Sequence, residues 1–77
     1  MKNILIVGST GQIGSELSIR LRSIYGDSNV ICGYYKPPYP DGFFDWGPTV
    51  EIDATDIKQI ADVVKKYKID TIYNLAA

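Results

Sequence analysis

The chain has 77 residues, 45% of them apolar and 22% charged, with a formal net charge of −1. That length holds one small domain, and the mixed, nearly balanced charge excludes the basic patch of a nucleic-acid or membrane-surface module. No apolar run approaches the ~18 residues of a membrane span, the short run after Lys2 is no secretory signal, and a single cysteine excludes an internal disulfide.

A cytoplasmic protein is therefore expected, with no nucleic-acid and no membrane partner. The chain has no histidine, so histidine-based catalysis or metal binding is excluded and no metal site is expected. Cys32, set in an apolar run, reads as a small core residue.

In chain order, Asn3 to Val7 is the first strand. It is apolar without alternation, which suits a central parallel strand covered on both faces. It stops at Gly8, and glycines recur at Gly11 and Gly14 before a helical pattern begins. Strand, glycine turn and helix together present backbone N–H groups and a helix N-terminus to a phosphate. Gly8 suits a tight turn, Gly11 a close approach of pyrophosphate, and Gly14 close packing of helix on sheet. The spacing G-x-x-G-x-x-G is one residue longer in its first gap than the common dinucleotide fingerprint. No G-x-x-x-x-G-K-[ST] occurs, which disfavours a phosphotransferase.

The first helix is expected from Gln12 to Tyr25, with Ile13, Leu17, Leu21 and Ile24 as its core stripe and Glu16, Arg20 and Arg22 off it. Gly26 is its stop. Asn29 to Tyr34 is the second strand. The segment from Tyr35 to Pro48 holds all four prolines and five of the nine aromatic residues, so neither a regular helix nor a central strand fits. It reads as a surface loop whose aromatics cover the sheet edge; the alternative is an adenine-side lid or subunit contact. Thr49 to Ile52 is a third strand. Thr55 is the expected cap of a second helix carrying Ile57, Ile60, Ala61, Val64 and Tyr67, with Asp56 suiting its positive end. Thr71 to Leu75 is the fourth strand.

This alternation predicts an α/β fold, the first half of a doubly wound (Rossmann) parallel sheet with strand order 3-2-1-4. Ligands bind at the switch between strands 1 and 4, beyond their carboxyl ends. That places Gly8 to Gly14 beside Ala76 and Ala77.

Gly8 to Gly14, then Asp53-Ala54-Thr55-Asp56, then Leu75-Ala76-Ala77, resemble the extended short-chain dehydrogenase/reductase family of NAD-dependent epimerases and dehydratases. Within it, the chain looks most similar to the short-chain-type L-threonine 3-dehydrogenases. Gly-Gln-Ile-Gly-Ser-Glu-Leu in the first helix, Gly47-Pro48, and Ile69-Asp70-Thr71-Ile72-Tyr73 carry that resemblance. It covers nearly the whole chain except roughly Tyr34 to Trp46.

The resemblance implies an NAD-dependent oxidoreductase oxidising a secondary alcohol by hydride transfer. A nucleotide-sugar epimerase or dehydratase is one alternative, and a non-catalytic nucleotide-binding module is another. It further implies that Gln12 and Ile13 lie beside the pyrophosphate, with the backbone at Gly8, Gly11 and Gly14. Asp53 would accept from the adenine amino group, Ala54 would pack on the ring, and Leu75, Ala76 and Ala77 would line the adenine–ribose side.

Two departures from the family pattern stand out. An acidic residue about 20 positions after the glycine motif usually holds the ribose hydroxyls; here Tyr34 takes that place. NAD is preferred, and NADP stays open through Lys36. The family also uses a tyrosine with a lysine four residues on. Tyr25, Tyr34, Tyr35, Tyr39, Tyr67 and Tyr73 are followed at that distance by Asn29, Pro38, Tyr39, Phe43, Thr71 and Ala77. Residues 1–77 are thus expected to be a partial NAD(P)-binding domain, inactive alone, with catalytic and substrate regions absent. Self-association through an open strand 4 edge, or only partial order, is expected of the chain, and a homodimer of its parent.

Overall fold

In the computed structural model, which describes residues 2–76, Ile4–Val7 form β1 and all four side chains are buried. Successive side chains of a strand point to opposite faces, so such a strand requires cover on both sides. Ile4 and Ile6 enter one core layer with Val30, Cys32 and Leu21; Leu5 and Val7 enter the other with Ile31, Ile52 and Val63. The helices α1 (Gln12–Tyr25) and α2 (Ile57–Lys66) supply Leu21 and Val63 to these two layers.

The remaining strands are β2 (Val30–Tyr34), β3 (Thr49–Glu51) and β4 (Thr71–Asn74). All neighbours pair in parallel, in the order β3-β2-β1-β4. The expected topology is thus the observed one: a Rossmann-like half-sheet. The strands are a residue or so shorter than the apolar runs, but Ile52 and Leu75 still donate ladder bonds to Tyr34 and Val7, at 2.7 and 2.9 Å. In register, Val7 lies opposite both Gly33 and Asn74, so β2, β1 and β4 end side by side. Among the described residues, no helix is long and apolar enough to cross a membrane.

Parallel neighbours need a long crossover, usually an α-helix. Between β2 and β3 a single 3-10 turn, Phe43–Asp45, stands in for it. Phe43 is fully buried in the α1-side layer, with Tyr34, Tyr39 and Trp46 packed around it. Tyr34 meets Phe44 and Tyr39 edge-to-face at 5.0 and 5.5 Å. Of the aromatics in residues 35–48, Tyr39 and Trp46 pack against the α1-side layer and Phe43 becomes core, while Tyr35 and Phe44 stay exposed.

Both helices keep only part of the apolar stripes read in the sequence. Leu17 and Leu21 on α1, and Ile60 on α2 with Tyr67 just after it, pack on the core, but each helix is turned so that other residues also face it. On α1 the buried residues are Gly14, Ser18, Leu21 and Arg22, while Ile13 and Ile24 are 72% and 57% exposed. The cause is the glycine turn. Gly14 must face the sheet, and one residue step is ~100° of helix rotation, which swings Ile13 onto the flank. Arg22 is buried because its guanidinium has carbonyl partners, Val30 and Pro48. On α2, Ile57 is exposed and Val63 buried. Its cap is Asp56, whose carboxylate accepts from the N–H groups of Lys58 and Gln59; Thr55 instead donates to Asp53.

Candidate functional site

Gly8 leaves β1 in the left-handed region, at φ +79°, where a side chain is strained. A Cβ on it would also lie 2.7 Å from the Ala76 backbone nitrogen. Ser9, fully buried, donates from both its N–H and its hydroxyl to the Gly33 carbonyl, at 3.1 and 2.8 Å. The exits of β1, β2 and β4 are thereby held together. A Cβ on Gly14 would approach the Gly8 carbonyl oxygen to 2.5 Å and Ser9 Cα to 2.8 Å. The first turn of α1 thus rests directly on the glycine turn.

Gly11 differs from both. Its backbone, at φ −73° and ψ 172°, is open to any residue, and a Cβ there would meet nothing within 4 Å. It is the N-cap of α1, makes no side-chain cap bond, and is followed by a first turn without an acidic residue. Ser15 N–H makes the first intrahelical bond, to the Gly11 carbonyl. The N–H groups of Gln12, Ile13 and Gly14 precede it and have no intrahelical partner, so the helix presents partial positive charge to open space.

Two clefts meet at Gly8. One, of about 320 Å³, is lined by Gly11, Gln12, Ile13, Gly14 and Leu75 as well as Gly8. The other, of about 350 Å³, runs across the ends of β1, β2 and β3, and holds Tyr34, Asp53, Ala54 and Ala76. Every described residue singled out from the sequence lines one or the other; Ala77 lies outside the described residues. The second cleft also contains Thr10, Tyr35, Lys36 and Thr55, to which the sequence reading gave little or no part in the site. Tyr35 has no recognisable motif; the signal for it is its place one step past β2, where the pleat changes face.

Asp53 is held firmly. Its Oδ1 accepts from the Thr55 hydroxyl at 2.6 Å and the Thr55 N–H at 2.9 Å, and its own N–H donates to Gln59 Oε1 at 2.8 Å. The two Thr55 donors lower the Asp53 carboxyl below its usual range, with the Tyr35 phenol and the Lys36 ammonium adding to the effect. Oδ1 is therefore occupied, and the carboxylate is ionised at neutral pH.

A dinucleotide fits this arrangement in its chemistry. The uncapped helix end with a bare Gly11 suits a pyrophosphate. The cleft between Ala54 and Ala76, with an ionised carboxylate on its wall, suits a flat heterocycle bearing an amino group.

Comparison with known proteins agrees. Residues 4–77 match the model of the NAD dependent epimerase/dehydratase family. The L-threonine dehydrogenase of Clostridium difficile is 44% identical over the whole chain, with a TM-score of 0.87, and the chain covers 24% of it. A GalE-like L-threonine dehydrogenase from Cupriavidus necator, solved in a holo form, is 40% identical over 97% of the chain and 23% of its own length, with a TM-score of 0.86. An uncharacterised epimerase/dehydratase of Staphylococcus saprophyticus is 36% identical over all 77 residues and 24% of its length. The chain thus spans about a quarter of the relatives it matches. On the match over residues 4–77, the chain belongs to the NAD-dependent epimerase/dehydratase family.

Proposed function

We propose that this segment binds the adenosine–pyrophosphate half of a nicotinamide dinucleotide, and that the protein it represents oxidises a secondary alcohol as an L-threonine 3-dehydrogenase does. The similarity to two L-threonine dehydrogenases supports the second part. When bound, the nicotinamide ring supplies the hydride acceptor. The segment's own residues bind and orient: Gln12, Ile13 and Gly14 N–H groups face the phosphates, and Asp53 and Ala54 hold the adenine. No tyrosine here has a lysine four residues on, so the segment alone is proposed to bind without turnover. The family description also supports a nucleotide-sugar epimerase or dehydratase. Turnover of L-threonine against that of a nucleotide sugar, by the protein carrying this segment, separates the two.

The observation that carries the binding reading is Gly11, a glycine for which neither its backbone angles nor its neighbours provide a need. Gly11→Asp tests it. Aspartate is a better N-cap than glycine, so the melting temperature holds or rises. Its carboxylate takes the place proposed for phosphate, so affinity for 5′-ADP falls at least tenfold. Unchanged 5′-ADP affinity in a folded Gly11→Asp chain rules the reading out.

A further inference from the structure

We propose that the adenosine end of this site selects the 2′-phosphorylated dinucleotide, with Lys36 as the residue that determines the choice. The inference rests on the dinucleotide reading above and deepens it. It reverses the preference for NAD, which treats Lys36 as one more solvated lysine.

A ribose with a free 2′-hydroxyl is held by a carboxylate at the end of the second strand, and that carboxylate repels a 2′-phosphate. Here β2 ends in Tyr34, and Tyr35 and Lys36 follow. Tyr34 is engaged with Phe44 and Tyr39. Among the described residues, the one carboxylate lining the cleft is Asp53, on the β3 side, and its Oδ1 already accepts two bonds from Thr55. What this end of the cleft offers at the exit of β2 is positive charge, the Lys36 ammonium, while the Tyr35 phenol is turned to Asp53.

Lys36 is also less free than an ordinary surface lysine. Its Nζ sits 5.2 Å from the Tyr35 ring centroid, a cation–π arrangement on the cleft wall. An ammonium lining the cleft beside the Tyr35 ring suits a doubly charged phosphate better than it suits a neutral diol.

The test compares adenosine 2′,5′-bisphosphate with 5′-AMP on the 77-residue chain by calorimetry. The wild type is expected to bind the bisphosphate at least tenfold more tightly. Lys36→Glu, exposed and outside the core, is expected to abolish that preference. Lys58→Glu, a lysine outside the cleft, controls for general charge and is expected to leave the preference unchanged. Equal or tighter binding of 5′-AMP by the wild type overturns the proposal and leaves the dinucleotide reading standing. Retention of the preference in Lys36→Glu overturns the role of Lys36. Binding of neither probe removes the dinucleotide reading, and this inference with it.

Discussion

Arg22, inside α1, donates from Nη2 to the carbonyl oxygen of Pro48 at 2.8 Å, across 26 positions of chain. The same guanidinium reaches the Val30 carbonyl from Nη2 at 3.0 Å and from Nε at 3.3 Å. One side chain thus ties the helix to the start of β2 and to the entry of β3, where a crossover helix is missing. Its Nη1, also buried, finds no partner among the described residues. Gly47 makes room for the group: a Cβ there would fall 2.7–2.9 Å from the guanidinium.

Arg22→Ala is expected to cost about 2 kcal/mol, because it removes the guanidinium's bonds to the Val30 and Pro48 carbonyls, of which Pro48 keeps only its bond from the Cys32 N–H. That is a large share of the roughly 4–12 kcal/mol expected for a chain of this size. Gly47→Ala is expected to destabilise as well, through the contact and through its φ of +152°. In the double variant the contact part disappears, so the combined loss is smaller than the sum. Urea unfolding of the four proteins measures this; strict additivity would show that the two residues do not meet.

Asp56 is the cap of α2, with N–H bonds from Lys58 at 3.0 Å and Gln59 at 3.2 Å. Asp56→Ala is expected to lower stability by about 1 kcal/mol, and Thr55→Ala to leave helix content unchanged. Far-ultraviolet circular dichroism on melting distinguishes them. A larger loss of helix for Thr55→Ala would return the cap to Thr55, as its place in the sequence suggested.

Acid is expected to weaken the fold through Asp53 and Asp70. Thr71 Oγ1 and the Asn3 N–H, at 2.8 and 3.1 Å, donate to Asp70 and hold its carboxyl below the usual carboxylate range; the Thr55 donors do the same for Asp53. A carboxyl lowered in the folded state stabilises above its unfolded value and loses that contribution as pH falls through the folded one. The loss therefore falls below about pH 4, and stability between pH 5 and 8 is flat with respect to these groups. Asp70→Asn should lose less of its urea midpoint than wild type between pH 5 and pH 3. An equal loss would show that the bond to Asn3 is not maintained in solution.

The order of elements and the strand order were legible because they rest on local signals: apolar runs, three glycines at fixed spacing, and an alternation that parallel sheets require. The site was legible for the same reason, since the ends of β1, β2 and β4 meet wherever that topology forms. The rotation of α1 was not. Ile13 and Ile24 are more apolar than Gly14 and Ser18, and the stripe drawn from them is the natural one from hydropathy. Contact with the glycine turn decides otherwise, because a close approach of helix to backbone selects for the smallest side chain rather than the most apolar.

What the sequence determined by itself, then, is the glycine-turn half-sheet, since strand, turn and helix here are each encoded within a few neighbouring residues. Only the tertiary structure decided that Phe43 stands in for a crossover helix, that Arg22 is interior, and that Lys36 lines one cleft with Tyr34, Asp53 and Ala76. Each of these depends on partners distant in the chain, as Arg22 does on Pro48 and Phe43 on Ile4, and such partners become neighbours only after the chain has closed on itself.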